Sequence, residues 1–160
     1  MIDPFISLIV ESFIYKEIIK YNKEGNIDEK YMTKYRLKDG FYQSWYKNGQ
    51  KEEECTYKEG NKNGLCQYWY DNGQKMCECT YKDGKKEGIY KWLYENGQKD
   101  IECNYKEGIK DGLYQSWHLN GQKRAECTYK DGNVEGLYQS WDKNGEKISE
   151  CIYKEGKMIN

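Results

Sequence analysis

Glycine in this chain keeps time. Gly49, Gly73, Gly97, Gly121 and Gly145 fall 24 residues apart, each preceded by Asn. Gly40, Gly64, Gly88, Gly112 and Gly136 form a second series, and Gly60, Gly84, Gly108, Gly132 and Gly156 a third. Together they hold fifteen of the sixteen glycines, and Gly25 lies one period before Gly49. A fixed period of this length marks a stacked-repeat architecture, in which each unit buries its apolar side chains only against its neighbours. A helix is excluded, because each glycine in a helix interior costs ~1 kcal/mol.

Other residues keep the same interval. Cys55, Cys79, Cys103, Cys127 and Cys151 each follow Glu, and Tyr57, Tyr81, Tyr105, Tyr129 and Tyr153 each precede Lys. Trp45, Trp69, Trp117 and Trp141 share one phase, with Leu93 in the slot between Trp69 and Trp117. The unit reads G-(L/F/I)-Y-Q-S-W-Y-x-N-G-Q-K-x-x-E-C-T-Y-K-(D/E)-G-x-x-x. Five copies occupy residues 40–160. Residues 21–39 read as a degenerate copy that keeps a turn at Glu24-Gly25-Asn26.

Each unit is predicted to be a β-hairpin. Asn-Gly is the strongest short-range hairpin signal, because a type I′ turn needs positive φ at both central residues. The flanking Tyr, Trp, Thr and Cys favour strands. The stretch from Lys58 to Gly64 then serves as the longer connection between hairpins. With Asn48-Gly49 as the turn, residues summing to 97 face each other. One face carries Phe41, Gln43, Trp45 and Lys47 opposite Thr56, Glu54, Glu52 and Gln50. The other carries Tyr42, Ser44 and Tyr46 opposite Cys55, Glu53 and Lys51, since side chains alternate along a strand.

Composition fits a thin sheet. Leu, Ile, Val and Phe supply only 25 of 160 residues, yet 17 are Tyr and 5 Trp. Disordered chains are poor in aromatics. The expected fold is therefore all-β: an elongated single-layer antiparallel meander roughly 50 Å long, from ten to twelve strands at ~4.8 Å. Residues 1–20 stand apart. Asp3 and Pro4 suit a helix start, and Ile6, Ile9, Val10, Phe13 and Ile14 recur at helical spacing. A short N-terminal helix capping the array is expected there; a partner-binding or membrane-surface helix is the alternative.

The unit resembles a known family. The string YQSWYKNGQKEEECTYKEGNKNGLCQYWYDNGQK, residues 42–75, is similar to the variant of the MORN repeat (membrane occupation and recognition nexus). The resemblance covers about three quarters of the chain. Similar arrays occur in bacterial proteins of the YwqK type, labelled antitoxins, and in large DNA viruses and protists. It implies hairpin arrays that bind proteins and, in some members, membranes or phosphoinositides. Other MORN units carry Y-x-G-x-W, whereas this chain carries Y-Q-S-W and an Asn-Gly turn.

The residue inventory points away from catalysis. His118 is the single histidine, standing in a slot filled by Tyr46, Tyr70, Tyr94 and Asp142, and reads as drift. Ser44, Ser116 and Ser140 lack a triad partner, and no glycine cluster forms a phosphate loop. The Cys55 series recurs every second strand, about 9.5 Å apart, too far for a disulfide, which needs Cα atoms within ~7 Å. Cys66, Cys77 and Cys79 form one local cluster, with Cys66 opposite Cys79 in the hairpin. Small buried thiols are the leading reading, an oxidisable Cys66–Cys79 pair and a metal site the others. The glutamate before each repeat cysteine and the lysine after each repeat tyrosine are positioned to pair across strands.

Lys and Arg number 26 against 27 Asp and Glu, a net charge of −1. No global field attracts nucleic acid, and lipid binding is disfavoured without basic clusters. No secretory signal or apolar span is evident, so a cytoplasmic location is expected. The expected function is a protein–protein interaction scaffold without cofactor or metal. Its candidate binding row is Trp45, Trp69, Leu93, Trp117 and Trp141; the alternative role for these rings is to stack and hold the sheet. A peripheral membrane or phosphoinositide-binding module is the runner-up.

Overall fold

The computed structural model describes residues 15–159. Among these the chain is one antiparallel sheet of thirteen strands in sequence order, with no helix. The strands are β1 (Tyr15–Tyr21), β2 (Ile27–Lys34), β3 (Leu37–Trp45), β4 (Lys51–Lys58), β5 (Asn61–Trp69), β6 (Lys75–Lys82), β7 (Lys85–Leu93), β8 (Lys99–Lys106), β9 (Ile109–Trp117), β10 (Lys123–Lys130), β11 (Asn133–Trp141), β12 (Lys147–Lys154) and β13 (Lys157–Met158). The all-β meander expected from the repeat is what forms. The helical stripe from Ile6 to Ile14 lies outside the described residues. Residues 15–20, the end of the expected helix, are strand instead. β1 pairs with β2 from Tyr15↔Lys34 onward, and Lys20–Glu29 and Lys30–Glu17 ion pairs cross the two at 2.8 and 2.9 Å. Satisfying the backbone groups along β2 is the physical reason for the change.

The two turns of each repeat exchange the roles expected from the sequence. At Asn48-Gly49 the amide of Tyr46 donates to the Gln50 carbonyl at 2.8 Å, and Gly49 N–H donates to the Tyr46 carbonyl at 2.9 Å. Only Gly49, at φ +83°, is left-handed; Asn48 is not. This is a longer loop closed by a left-handed glycine, not a type I′ turn. The type I′ turn is Glu59-Gly60, with φ of 50° and 84° and Lys58 paired to Asn61. Asp83-Gly84, Glu107-Gly108, Asp131-Gly132 and Glu155-Gly156 repeat it.

Registers follow. Gly40↔Tyr57 through Ser44↔Glu53 obey the sum of 97, and then a bulge sets Trp45 opposite Lys51 rather than Glu52. That one-residue shift carries Lys51 onto the face of Trp45 and Glu54. Turns also bond to the neighbouring repeat. Gly60 N–H donates to the Lys38 carbonyl at 2.8 Å, and the Asp39 carboxylate accepts from Glu59 N–H at 3.0 Å. Burial is confined to one face: Tyr42, Ser44, Cys55, Cys66, Cys77, Cys79, Cys103, Ser116, Ala125 and Cys127. It is called the second face below, and the face of Phe41 and Trp45 the first.

Candidate functional site

On the first face the structure brings the five expected residues into one row. Trp45, Trp69, Leu93, Trp117 and Trp141 end β3, β5, β7, β9 and β11, all half-buried along the Asn-Gly edge. The rings do not stack on each other. A lysine of the preceding repeat covers each of three: Lys51 Nζ lies 5.2 Å from the Trp69 centroid, Lys99 5.1 Å from Trp117 and Lys123 5.6 Å from Trp141. Strands two apart leave too much space for ring contact, so long cationic side chains fill it. These three, and Lys75 in the same slot, bond the glutamate three residues on: Lys75 to Glu78 and Lys99 to Glu102 at 2.8 Å, Lys51 to Glu54 and Lys123 to Glu126 at 2.5 Å. The glutamate before each repeat cysteine therefore pairs along its own strand, not with the lysine after the tyrosine. The bulge at Lys51 makes that reach available. The lysine ammonium and the Gln67 amide hold the Glu78 carboxyl below its ordinary range; the Lys123 ammonium and the Gln115 amide do the same at Glu126.

Beside this row runs a second one that the sequence pattern did not single out. Phe41, Leu65, Ile89, Leu113 and Leu137 stand on the first face, each between 46 and 54% exposed. The signal lies in the L/F/I position after each Gly40-series glycine. It is apolar in every copy and alternates onto an open face.

The second face is built from tyrosine pairs. Tyr42 and Tyr57 meet edge-to-face with centroids 5.6 Å apart, as do Tyr90 and Tyr105 (5.7 Å), Tyr114 and Tyr129 (5.7 Å) and Tyr138 and Tyr153 (6.0 Å). A series of lysines, to which the repeat pattern gave no role, reaches into these pairs. Lys38 Nζ lies 3.6 Å from the Tyr42 centroid, Lys86 4.2 Å from Tyr90 and Lys110 4.7 Å from Tyr114. Burial pushes the Tyr42 hydroxyl up to about 12 and lowers the Lys38 ammonium. Val134 ends the series.

Along this face the large side chains Tyr68 and Trp92 occupy the slot that Ser44, Ser116 and Ser140 leave small. Over the last two repeats a groove of about 780 Å3 opens, lined by Tyr114, Ser116, His118, Ala125, Tyr138 and Ser140 among others. His118 keeps the contact of its slot. Its Nε2 lies 2.8 Å from the Trp141 carbonyl, repeating Tyr46 Oη to Trp69 O and Tyr70 Oη to Leu93 O at 2.8 Å and Tyr94 Oη to Trp117 O at 2.9 Å. A carbonyl only accepts, so Nε2 carries the proton. Ser116 Oγ accepts from Arg124 Nε at 3.4 Å and Ser44 Oγ donates to Glu52 at 3.1 Å.

The cysteines depart from expectation. Cys66 is the cross-strand neighbour of Cys79, as the hairpin arithmetic gave, but also of Cys55 across the Glu59-Gly60 turn. Cys55 and Cys66 form a disulfide, with Cα atoms 4.2 Å apart. The expectation of thiols, with Cys66–Cys79 as the pair able to oxidise, rests on the Asn-Gly hairpins alone and misses this second pairing. Cys77, Cys79, Cys103, Cys127 and Cys151 are free thiols. Burial pushes the Cys127 thiol up to about 11.

No curated protein matches the chain. The family described as the MORN repeat variant matches at residues 38–59, 62–83, 86–107, 110–131 and 134–155. MORN repeats are generally non-catalytic and take part in protein–protein or membrane interactions. Five tandem units, each closed by the same two turns and held to the next by the same hydrogen bonds, place this chain in the MORN repeat variant family.

Proposed function

We propose that this chain is a non-catalytic, cytoplasmic interaction scaffold that binds a protein through its first face. One observation carries the reading. Two parallel rows of ring and aliphatic side chains, Trp45 to Trp141 and Phe41 to Leu137, run half-exposed along a sheet that carries no second layer among the described residues. Exposed apolar side chains aligned in rows mark an interaction site. Aromatic anchors dominate such interfaces energetically, and the Lys–Glu pairs between the rows supply a neutral polar rim. Neutralisation of a toxic partner, as in the antitoxin-labelled proteins with similar arrays, is a special case of this reading. The described residues hold no helix long and apolar enough to cross a membrane.

The test uses the full chain and a Trp69→Ala, Trp117→Ala variant, both checked for folding by circular dichroism. Affinity capture followed by mass spectrometry should return a partner with the first and lose it with the second. Equal capture by both would overturn the assignment of the face. Sedimentation of the chain with anionic liposomes, undiminished in the double variant and without any protein partner, would favour the membrane role instead.

A further inference from the structure

Cys66 stands where the other four repeats carry Tyr42, Tyr90, Tyr114 and Tyr138. In those repeats the strand cysteine faces a tyrosine: Cys103 opposes Tyr90 and Tyr114, and Cys127 opposes Tyr114. Only around β5 do three cysteines stand abreast, Cys55 in β4, Cys66 in β5 and Cys79 in β6. All three point to the second face and are buried, Cys55 and Cys66 completely. They form one apolar cluster with Cys77, walled by Tyr57, Tyr68, Tyr81 and Tyr90.

The register fixes how Cys66 relates to each neighbour. Its Cα lies 4.2 Å from that of Cys55, the spacing of a non-hydrogen-bonded antiparallel pair. The N–H and C=O of one residue point to the same neighbouring strand. Cys66 therefore makes the hydrogen-bonded kind of pair with Cys79, at a Cα spacing of about 5.5 Å. A disulfide is compatible with either spacing, since bridged Cα atoms lie within ~7 Å. Strands abreast also put the three residues on one line across the sheet. With Cys79 and Cys55 on opposite sides of Cys66, attack by Cys79 on Cys66 Sγ comes from the side opposite Cys55, the approach that thiol–disulfide exchange requires.

We propose that Cys55, Cys66 and Cys79 form a thiol–disulfide exchange site, in which the Cys79 thiolate attacks Cys66 Sγ and expels Cys55. The Cys79–Cys66 bond forms as the Cys66–Cys55 bond breaks. The electron pair leaves on Cys55 Sγ, which takes up one proton in place of the one Cys79 released. One disulfide and one thiol stand on each side, so no external oxidant or reductant takes part.

The surroundings suit both partners. A hydrogen bond from the Cys77 thiol favours the Cys79 thiolate against the cost of burial, with the Tyr81 hydroxyl and the Lys86 and Lys62 ammonium groups adding to it. The same bond and burial push Cys77 upward, so Cys77 stays a thiol. Cys55 Sγ lies 3.2 Å from Glu53 Oε1 and 3.8 Å from Tyr68 Oη. Once expelled and protonated, it donates to the Glu53 carboxylate, which Lys62 already holds at 2.6 Å. The exchange moves the cross-link from the β4–β5 hairpin to the β5–β6 hairpin without changing any strand pairing.

Disulfide mapping of the intact chain tests this. The protein is held at neutral pH, quenched in acid, alkylated with N-ethylmaleimide, digested without reduction and read by mass spectrometry. Cys66 should be found bridged to Cys55 in part and to Cys79 in part, with alkylated Cys79 and Cys55 in the complementary fractions. Cys79→Ser should leave Cys55–Cys66 alone, and Cys55→Ser, incubated with oxidised glutathione, should yield Cys66–Cys79. Three results would overturn the proposal: Cys55–Cys66 alone in the wild type with Cys79 wholly alkylated, no bridge at all, or bridges to Cys103, Cys127 and Cys151 at comparable levels. The last would mean exchange through the unfolded chain. The wild-type map decides the matter even where a serine variant fails to fold.

Discussion

His118 shows what a substitution within a repeat slot has to preserve. The slot demands a donor long enough to reach the carbonyl of the residue 23 positions on, and imidazole Nε2–H does this at the distance that tyrosine hydroxyls keep elsewhere. Asp142 stands in the same slot of the last repeat and turns inward to cap its own loop, accepting from Asn144 and Glu146 N–H at 2.8 and 2.9 Å. His118→Ala should lower stability by about 1 kcal/mol, the net worth of one hydrogen bond. His118→Tyr should stay within about 0.5 kcal/mol of the parent. Urea denaturation followed by tryptophan fluorescence separates the two. Equal losses in both variants would mean that the imidazole itself, not a donor of this reach, is what the slot needs. From the sequence, His118 could be recognised only as an exception, because the carbonyl it serves lies in the next repeat and depends on the register.

Among the elements, the turns separate what was legible from what was not. The hairpin period, the sum of 97 along most of each hairpin and the common row of Trp45, Trp69, Leu93, Trp117 and Trp141 could be read from spacing alone. Turn type could not, because Asn serves two ends. Asn48 holds its loop by accepting from Gln50 N–H at 3.0 Å and donates its amide to the Asp71 carbonyl of the next repeat at 2.6 Å. Neither bond needs left-handed backbone. That conformation falls instead to Glu59, whose N–H is tied to Asp39. The bulge that moves Lys51 across the sheet follows from the loop type, so the Lys–Glu pairing was hidden along with it. The degenerate copy shows the cost most plainly. Tyr35 and Arg36 close the β2–β3 turn at φ of 49° and 70°, with arginine in the place of Gly60. A left-handed non-glycine residue costs roughly 1–2 kcal/mol. Arg36→Gly relieves this while making the unfolded chain more flexible, for a net gain of about 0.5–1 kcal/mol. The melting temperature should rise; a fall would show that Arg36 makes a contact worth more than its strain.

At the scale of the whole molecule the same interactions recur as rows, and rows respond together. Four glutamates of one series, Glu54, Glu78, Glu126 and Glu150, have lowered pKa values. For Glu78, Glu126 and Glu150 the lysine hydrogen bond is the leading cause; at Glu54 burial opposes it and is outweighed. A carboxyl whose folded pKa is depressed stabilises the fold above its unfolded value, about 4.3 for glutamate, and loses that contribution as pH falls through the folded value. The urea midpoint should therefore hold between about pH 7 and 5 and decline below about 4.3, more gently at high salt because these pairs are partly exposed. Glu78→Gln with Glu126→Gln should flatten the acid limb.

The strand order sets a stricter demand. Each strand pairs only with its neighbours in sequence, so stability is a sum over repeats and the joints between them. Nothing but a neighbour's register tells a repeat where it is. Removing residues 110–133 joins Ile109 to Val134 with every slot preserved: Trp141 takes the place of Trp117, Asp142 that of His118 and Val134 that of Lys110. The shortened chain should fold as a sheet with two strands fewer, keep its β-sheet circular dichroism, and show a urea m-value reduced roughly in proportion to the surface lost. Removing residues 110–132 instead shifts every later side chain by one position. Because alternation has a period of two, that slip would send Leu137 and Trp141 toward the second face and Tyr138 and Cys151 toward the first. That variant should lose the cooperative transition of the last hairpins while the repeats before residue 110 remain folded. Similar behaviour of the two deletions would refute the nearest-neighbour account of the array, and with it the claim that a constant interval of 24 residues is what this sequence is built to keep.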